Sequence, residues 1–280
     1  MANHRIYQYT SLARPLDPSR PVAKIVLYLL PVAALLGAVM GFVRQGNLSG
    51  VLLGAFAFTL VLYGSWALAR ELDPDDSPIS FLSMALGMLA ALLVASPGIL
   101  VLVVTIALVR MVNRSSGLTA RRSDSIVLMA LSIWVIYASE SPVFGAVAAL
   151  AFFLDGSLKE PVRSQWIFGF ICLGGMIVYM VDHDIGFPFM HWPRSLFEWT
   201  SLLFILIFAL DSFLIQTFRT RGDVNGLLLD SARVRGGMAV GFMAALQGIN
   251  RPEGVVVIVA VIAGLCAGIA FRKGFKVPPP

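Results

Sequence analysis

Three groups of polar residues stand in an otherwise apolar sequence, and each could support a definite chemistry. The first is Asp211, with Ser212 beside it, in the run Leu202–Gln216. It falls 13 residues after Glu198, about 20 Å along a helix at 1.5 Å per residue. An ionisable group at that depth in an apolar helix faces the bundle interior and is a substrate or proton-coupling candidate. Ser212 and Arg110 are its expected partners, and a structural ion pair is the plainer alternative. Glu140 and Gln247 pose the same question at shallower depth.

The second group is Arg70-Glu71-Leu72-Asp73-Pro74-Asp75-Asp76-Ser77-Pro78. Clustered carboxylates such as Asp73, Asp75 and Asp76 at a membrane face could hold Mg²⁺ against a diphosphate. The Asn-Asp-x-x-Asp-x-x-x-Asp spacing of UbiA-type membrane prenyltransferases is absent, as is the signature of CDP-alcohol phosphotransferases. The segment therefore reads first as an Asp/Pro turn, with Asp76 or Ser77 capping the next helix.

The third group is Asp182, His183, Asp184 and His191, followed by Trp192, Arg194 and Glu198. Imidazole and carboxylate together can bind Zn²⁺. No pair has the i,i+4 spacing of a helical ligand set, and Phe187, Pro188 and Phe189 between the histidines are apolar. An interfacial loop is the reading preferred, and no metal is expected there. Arg221-Gly222-Asp223 spells an adhesion tripeptide, which is read as chance.

The elements that must carry these residues follow from composition. The chain has 280 residues, 58% hydrophobic and 13% charged, with a mean hydropathy of +0.83. A soluble surface needs more charge than that, so lipid is the expected solvent for much of it. The net charge of +5 lacks the aromatic-interleaved basic stripe of a nucleic-acid binder, and no nucleic-acid partner is expected. Cys172 and Cys266 lie inside apolar runs and read as packing residues. No nucleotide loop, nucleophilic triad, haem motif or quinone motif is present, so no cofactor is expected.

The apolar runs 24–43, 49–69, 166–181, 198–218 and 252–271 each reach roughly the length of a membrane span. The stretch 79–112 is too long for one span and is divided at Ser96-Pro97-Gly98, and 125–155 is divided at Ser139–Pro142. The short, Gly-rich segment 235–250 completes ten spans. Assigning alternate loops to the cytoplasm, from the N-terminus, puts 18 of the 21 Lys and Arg on that side, leaving Arg44, Arg194 and Arg251 outside. That is the asymmetry of the positive-inside rule. The expectation is an all-α, polytopic transmembrane helical bundle of consecutive hairpins in the plasma (inner) membrane. Residues 1–23 form a cytoplasmic N-terminal segment, 24–272 a single transmembrane domain and 273–280 a cytoplasmic tail.

Leu12-Ala13-Arg14-Pro15-Leu16-Asp17-Pro18 returns as Leu68-Ala69-Arg70-Glu71-Leu72-Asp73-Pro74. The recurrence fits a duplicated hairpin, or simply the general preferences of helix starts. Small-xxx-small spacings at Gly50/Gly54, Gly237/Gly241 and Gly264/Gly268 favour close helix approach. The last two point to spans 9 and 10 as a pair, and homo-oligomerisation through such faces is the alternative. Three functional classes remain open. They are a small-molecule or lipid transporter or binding protein using Asp211, a membrane enzyme acting on a lipid or polyprenyl substrate, and a non-catalytic assembly subunit. A polar cavity reaching Asp211, a cleft near Asp73–Asp76, or neither would separate them.

Overall fold

The computed structural model describes residues 6–75, 77–94, 98–186, 192–214, 218–247 and 252–275. The chain is all-helical, with ten α-helices and no strands among the described residues. These are α1 (Pro21–Gln45), α2 (Leu48–Leu72), α3 (Ser77–Leu93), α4 (Ile99–Asn113), α5 (Arg122–Ala138), α6 (Val143–Ser157), α7 (Gln165–Asp182), α8 (Leu196–Leu214), α9 (Ser231–Leu246) and α10 (Pro252–Phe275). Among the described residues α1, α2 and α7 are long and apolar enough to cross a membrane, and α4 and α6 are shorter apolar helices. The expected break at Gly98 is present, with the glycine in the left-handed conformation before α4; Ser96 and Pro97 lie outside the described residues.

Three helices end with a charged residue where glycine is usual, α4 with Arg114 (φ 51°) and two others. Glu140 (φ 50°) follows α5 and Asp184 (φ 51°) follows α7. Behind each, the next backbone N–H reaches back into the last turn, Ser141 to the Ile136 carbonyl (3.1 Å) and Ile185 to the Met180 carbonyl (2.8 Å). Both are Schellman closures, which satisfy carbonyls that a helix end leaves open.

Glycines decide where backbones touch. Gly37 and Gly41 of α1 face Gly54 and Gly50 of α2 so closely that a Cβ on any of them would collide with the opposite backbone or side chain. The Gly50/Gly54 face is thus occupied within the chain. The pairing expected for spans 9 and 10 is corrected. Gly237 lies against Asn113 of α4 and Gly241 against Leu72 of α2, whereas Gly264 and Gly268 lie against Ser83 and Ile79 of α3. Each small-residue face serves a different neighbour, because α3 packs mainly on α10 and α2 while α4 packs mainly on α9 and α2.

Successive helices run in opposite directions. The C-terminal ends of α2, α4 and α6 therefore meet the N-terminal ends of α5, α7 and α9 and the N-terminal arm, residues 6–20. Arginines gather at this end, and the candidate site is built there.

Candidate ligand cavity at the arginine-rich end

The arm is held from the α4–α5 side. Arg121 donates to the carbonyls of Tyr7 and Gln8, and Ser116 Oγ donates to the Ser11 carbonyl at 2.7 Å. The Asp124 carboxylate accepts from Ser11 N (2.7 Å) and Oγ (2.6 Å). Further along, Asp17 accepts from the hydroxyl and backbone N–H of Ser19, and these bonds hold its carboxyl below the usual carboxylate range. The arm thereby lies as a fixed wall.

Behind that wall, Glu71 is 1% exposed in the last turn of α2. Its Oε1 accepts from Arg14 Nη1 (3.2 Å) and Arg110 Nε (3.0 Å). Arg14 also grips Asp223 through Nε (2.6 Å) and Nη2 (3.4 Å), and Arg20 approaches the same carboxylate at 3.7 Å. Burial alone would lower the pKa of Arg14, but Glu71 and Asp223 together outweigh it and raise the value, so the guanidinium is permanently charged. Tyr7 is pushed up, first by burial and then by Asp223, and stays a neutral phenol at physiological pH.

A cavity of about 290 Å³ opens between the arm and the ends of α2 and α4. Arg14, Arg20, Arg70, Arg110, Trp66 and Tyr7 stand in its wall, with Glu71, Asp223 and Asp17 as the acids. The recurring Leu-Ala-Arg segments form two of its sides, so Arg14 and Arg70 face one space. Arg70 differs from the other three arginines in having no carboxylate partner among the described residues; its guanidinium lies over the Trp66 ring, 5.3 Å from the centroid. Arg70 Nε and Trp66 Nε1 are buried donors without an acceptor among the described residues. Leaving a buried donor unmade costs about 1–3 kcal/mol.

A second polar cluster lies one turn along α4. Asp155 of α6, fully buried, accepts from Arg114 Nε and Nη2 (3.1 and 3.0 Å), Arg233 Nη1 (2.8 Å) and Gln165 Nε2 (3.1 Å). Arg114 adopts φ 51°, a left-handed conformation that costs a non-glycine residue about 1–2 kcal/mol and persists only where surroundings enforce it. Here Asp155 and the Glu160 carbonyl fix its side chain. The cluster is closed, and none of these four residues lines the cavity.

The sequence candidates fall as follows. Asp211 is buried on α8, within electrostatic reach of Cys266 on α10. Its expected partners are corrected: Arg110 binds Glu71 instead, and the Ser212 hydroxyl turns back to the Phe208 carbonyl at 2.7 Å. Of the acidic loop, Asp73 is buried and engaged, while Asp76 lies outside the described residues. Asp75 accepts from the backbone N–H groups of Arg219 and Thr220 and from the Thr220 hydroxyl at 2.7 Å, anchoring the α8–α9 loop. At the other end, His183 stacks on Tyr179 (4.1 Å), with Nδ1 3.0 Å from the Tyr179 carbonyl and 3.5 Å from Asp182. Asp184 is the helix-closing residue noted above, and His191 lies outside the described residues. Among the described residues no three His, Cys, Asp or Glu side chains gather as metal ligands.

Sequence reasoning treated Glu71 as one more loop acid, Asp223 as part of a chance tripeptide, and did not single out Asp155. The available signal was the repeated Leu-Ala-Arg segment, whose two arginines share the cavity. No family model, curated protein or solved structure matches the chain.

Proposed function

We propose that the chain crosses the plasma (inner) membrane ten times with both termini in the cytoplasm. We further propose that it is a small-molecule or lipid binding protein, or the carrier for such a ligand, whose site is the arginine-walled cavity. The up-and-down course of the helices and the gathering of 18 of 21 basic residues on one set of loops support that topology. The observation that carries the functional reading is the cavity of about 290 Å³ walled by the arm and α2. Its size is near the low end of ligand pockets, about 300–1,000 Å³, and suits a headgroup or small metabolite.

Binding is favoured over turnover by the state of the acids. A general base must be free to take a proton. Glu71 is held by Arg14 and Arg110, and Asp223 by Arg14 and Arg20. The reading also moves the site away from Asp211, which is not among the residues that line this cavity.

The test uses one introduced thiol. Cys172 and Cys266 are buried, so a Leu16→Cys variant places the reactive thiol in the cavity wall. Maleimide labelling of the purified variant should slow when lipid or metabolite fractions from the source cells are added, and mass spectrometry should identify the protecting species. Labelling that no fraction slows would overturn the reading. Reporter fusions at Gly117 and Asp223 should report the cytoplasmic side, and an external signal at either would sink the ten-span topology.

A further inference from the structure

We infer that the cavity receives a phosphate group, seated on the Nε–H of Arg70 and the indole N–H of Trp66. The inference rests on the reading of the cavity as a ligand site and names the chemistry of its occupant. Trp66 is 6% exposed, and its Nε1 and the Nε of Arg70 both lack an acceptor among the described residues although both residues line the cavity. Two such donors call for an acceptor, and a guanidinium among them calls for a charged one.

The acids of the cavity do not supply it. Glu71 Oε1 is taken by Arg14 and Arg110, and its buried Oε2 hydrogen-bonds neither donor; Asp223 is taken by Arg14 and Arg20, and Asp17 by Ser19. Among the described lining residues, four arginines against these three acids leave one positive charge in excess, at Arg70. A cationic ligand would therefore be repelled.

Geometry separates phosphate from carboxylate. The Arg70 guanidinium lies over the face of the Trp66 ring, while an indole N–H points outward in the ring plane. The two donors thus sit at different heights relative to the indole ring. A tetrahedral phosphate presents oxygens in more than one plane, whereas a carboxylate presents its two in one. The cation–π contact holds the guanidinium in place before any ligand arrives, so little side-chain freedom is lost on binding.

The phosphate could belong to a lipid headgroup or to a soluble phosphomonoester, and the experiment distinguishes these. Leu16→Cys protein in neutral maltoside detergent is labelled with maleimide in the presence of inorganic phosphate, acetate, phosphatidic acid, or diacylglycerol as the phosphate-free counterpart. Phosphatidic acid or inorganic phosphate should slow labelling, and acetate and diacylglycerol should not. Protection by inorganic phosphate assigns a soluble source, and protection by phosphatidic acid alone assigns a headgroup. Arg70→Gln and Trp66→Phe, each added to Leu16→Cys, should each weaken protection about tenfold. The phenyl ring of Trp66→Phe keeps an aromatic face under Arg70, and unchanged ligand-free melting temperatures show that the variants are folded. Acetate protecting as well as phosphate, or both variants binding like the parent, overturns the phosphate assignment. Protection by diacylglycerol regardless of phosphate keeps the ligand cavity but removes the phosphate; protection by nothing removes both.

Discussion

Arg110 and Arg114 stand one helical turn apart at the end of α4 and reach in different directions, Arg110 to Glu71 of α2 at 3.0 Å and Arg114 to Asp155 of α6 at 3.0 Å. A single helix end thereby joins the cavity cluster to the closed one. The two carboxylates are not equally replaceable, because Glu71 serves a cavity whereas Asp155 sits within a sealed core.

Asp155→Asn removes the buried carboxylate that Arg114 and Arg233 share, leaving Arg114 only the exposed Glu160 at 3.6 Å, and breaking a buried pair in this way costs about 3–5 kcal/mol. Arg110→Gln leaves Glu71 with Arg14 still bound, and about 1–3 kcal/mol is expected. Thermal unfolding in detergent should rank Asp155→Asn well below Arg110→Gln. Equal melting temperatures, or the reverse order, would show that the closed cluster is not a keystone.

The glycines allow a three-way comparison. Gly41→Val drives a side chain into the Gly50 carbonyl and should cost at least 1–3 kcal/mol, as overpacking does. Gly46→Ala meets no neighbouring atom but must hold φ 67°, and about 1 kcal/mol is expected. Gly174→Ala lies in α7 with open space around it and should stabilise by about 0.5–1 kcal/mol through helix propensity. Gly41→Val melting like the parent would refute the backbone contact between α1 and α2.

Asp75 gives a proteolytic test. Removing its carboxylate with Asp75→Ala frees the backbone of Arg219 and Thr220. Each lost bond is worth about 1 kcal/mol, so tryptic cleavage after Arg219 and Arg221 should quicken about tenfold or more. Cleavage at the parent rate would mean that other contacts hold this loop.

Much of the helical plan was legible because it depends on local composition. Apolar runs, the Gly98 break and the turn at Ser139–Pro142 each declare themselves within a few residues. The cavity was not legible, since its members are brought together by packing: Arg14 and Asp223 are 209 positions apart, and Arg14 and Glu71 are 57 apart. Asp155 was inconspicuous because it ends an apolar run, where an acid reads as the start of a loop. The acidic loop was visible, but Asp75 in it serves backbone N–H groups that look ordinary in sequence.

Asp211→Asn keeps volume and hydrogen-bonding capacity while removing the charge. As Asp211 is not among the residues that line the cavity, the variant is expected to lower the melting temperature by several degrees while leaving ligand protection of Leu16→Cys unchanged. Loss of protection with an unaltered melting temperature would return Asp211 to the centre of the mechanism.

The bond between Arg14 and Asp223 also fixes when the cavity can exist. Its first partner leaves the ribosome 209 residues before its second. At about 5–20 residues per second that interval lasts roughly 10–40 s. Throughout it the arm must wait beside the membrane with Arg14 lacking its second carboxylate. The cavity is therefore among the last features to assemble during synthesis, and a nascent chain arrested before Asp223 would carry most of the helices and an unfinished site.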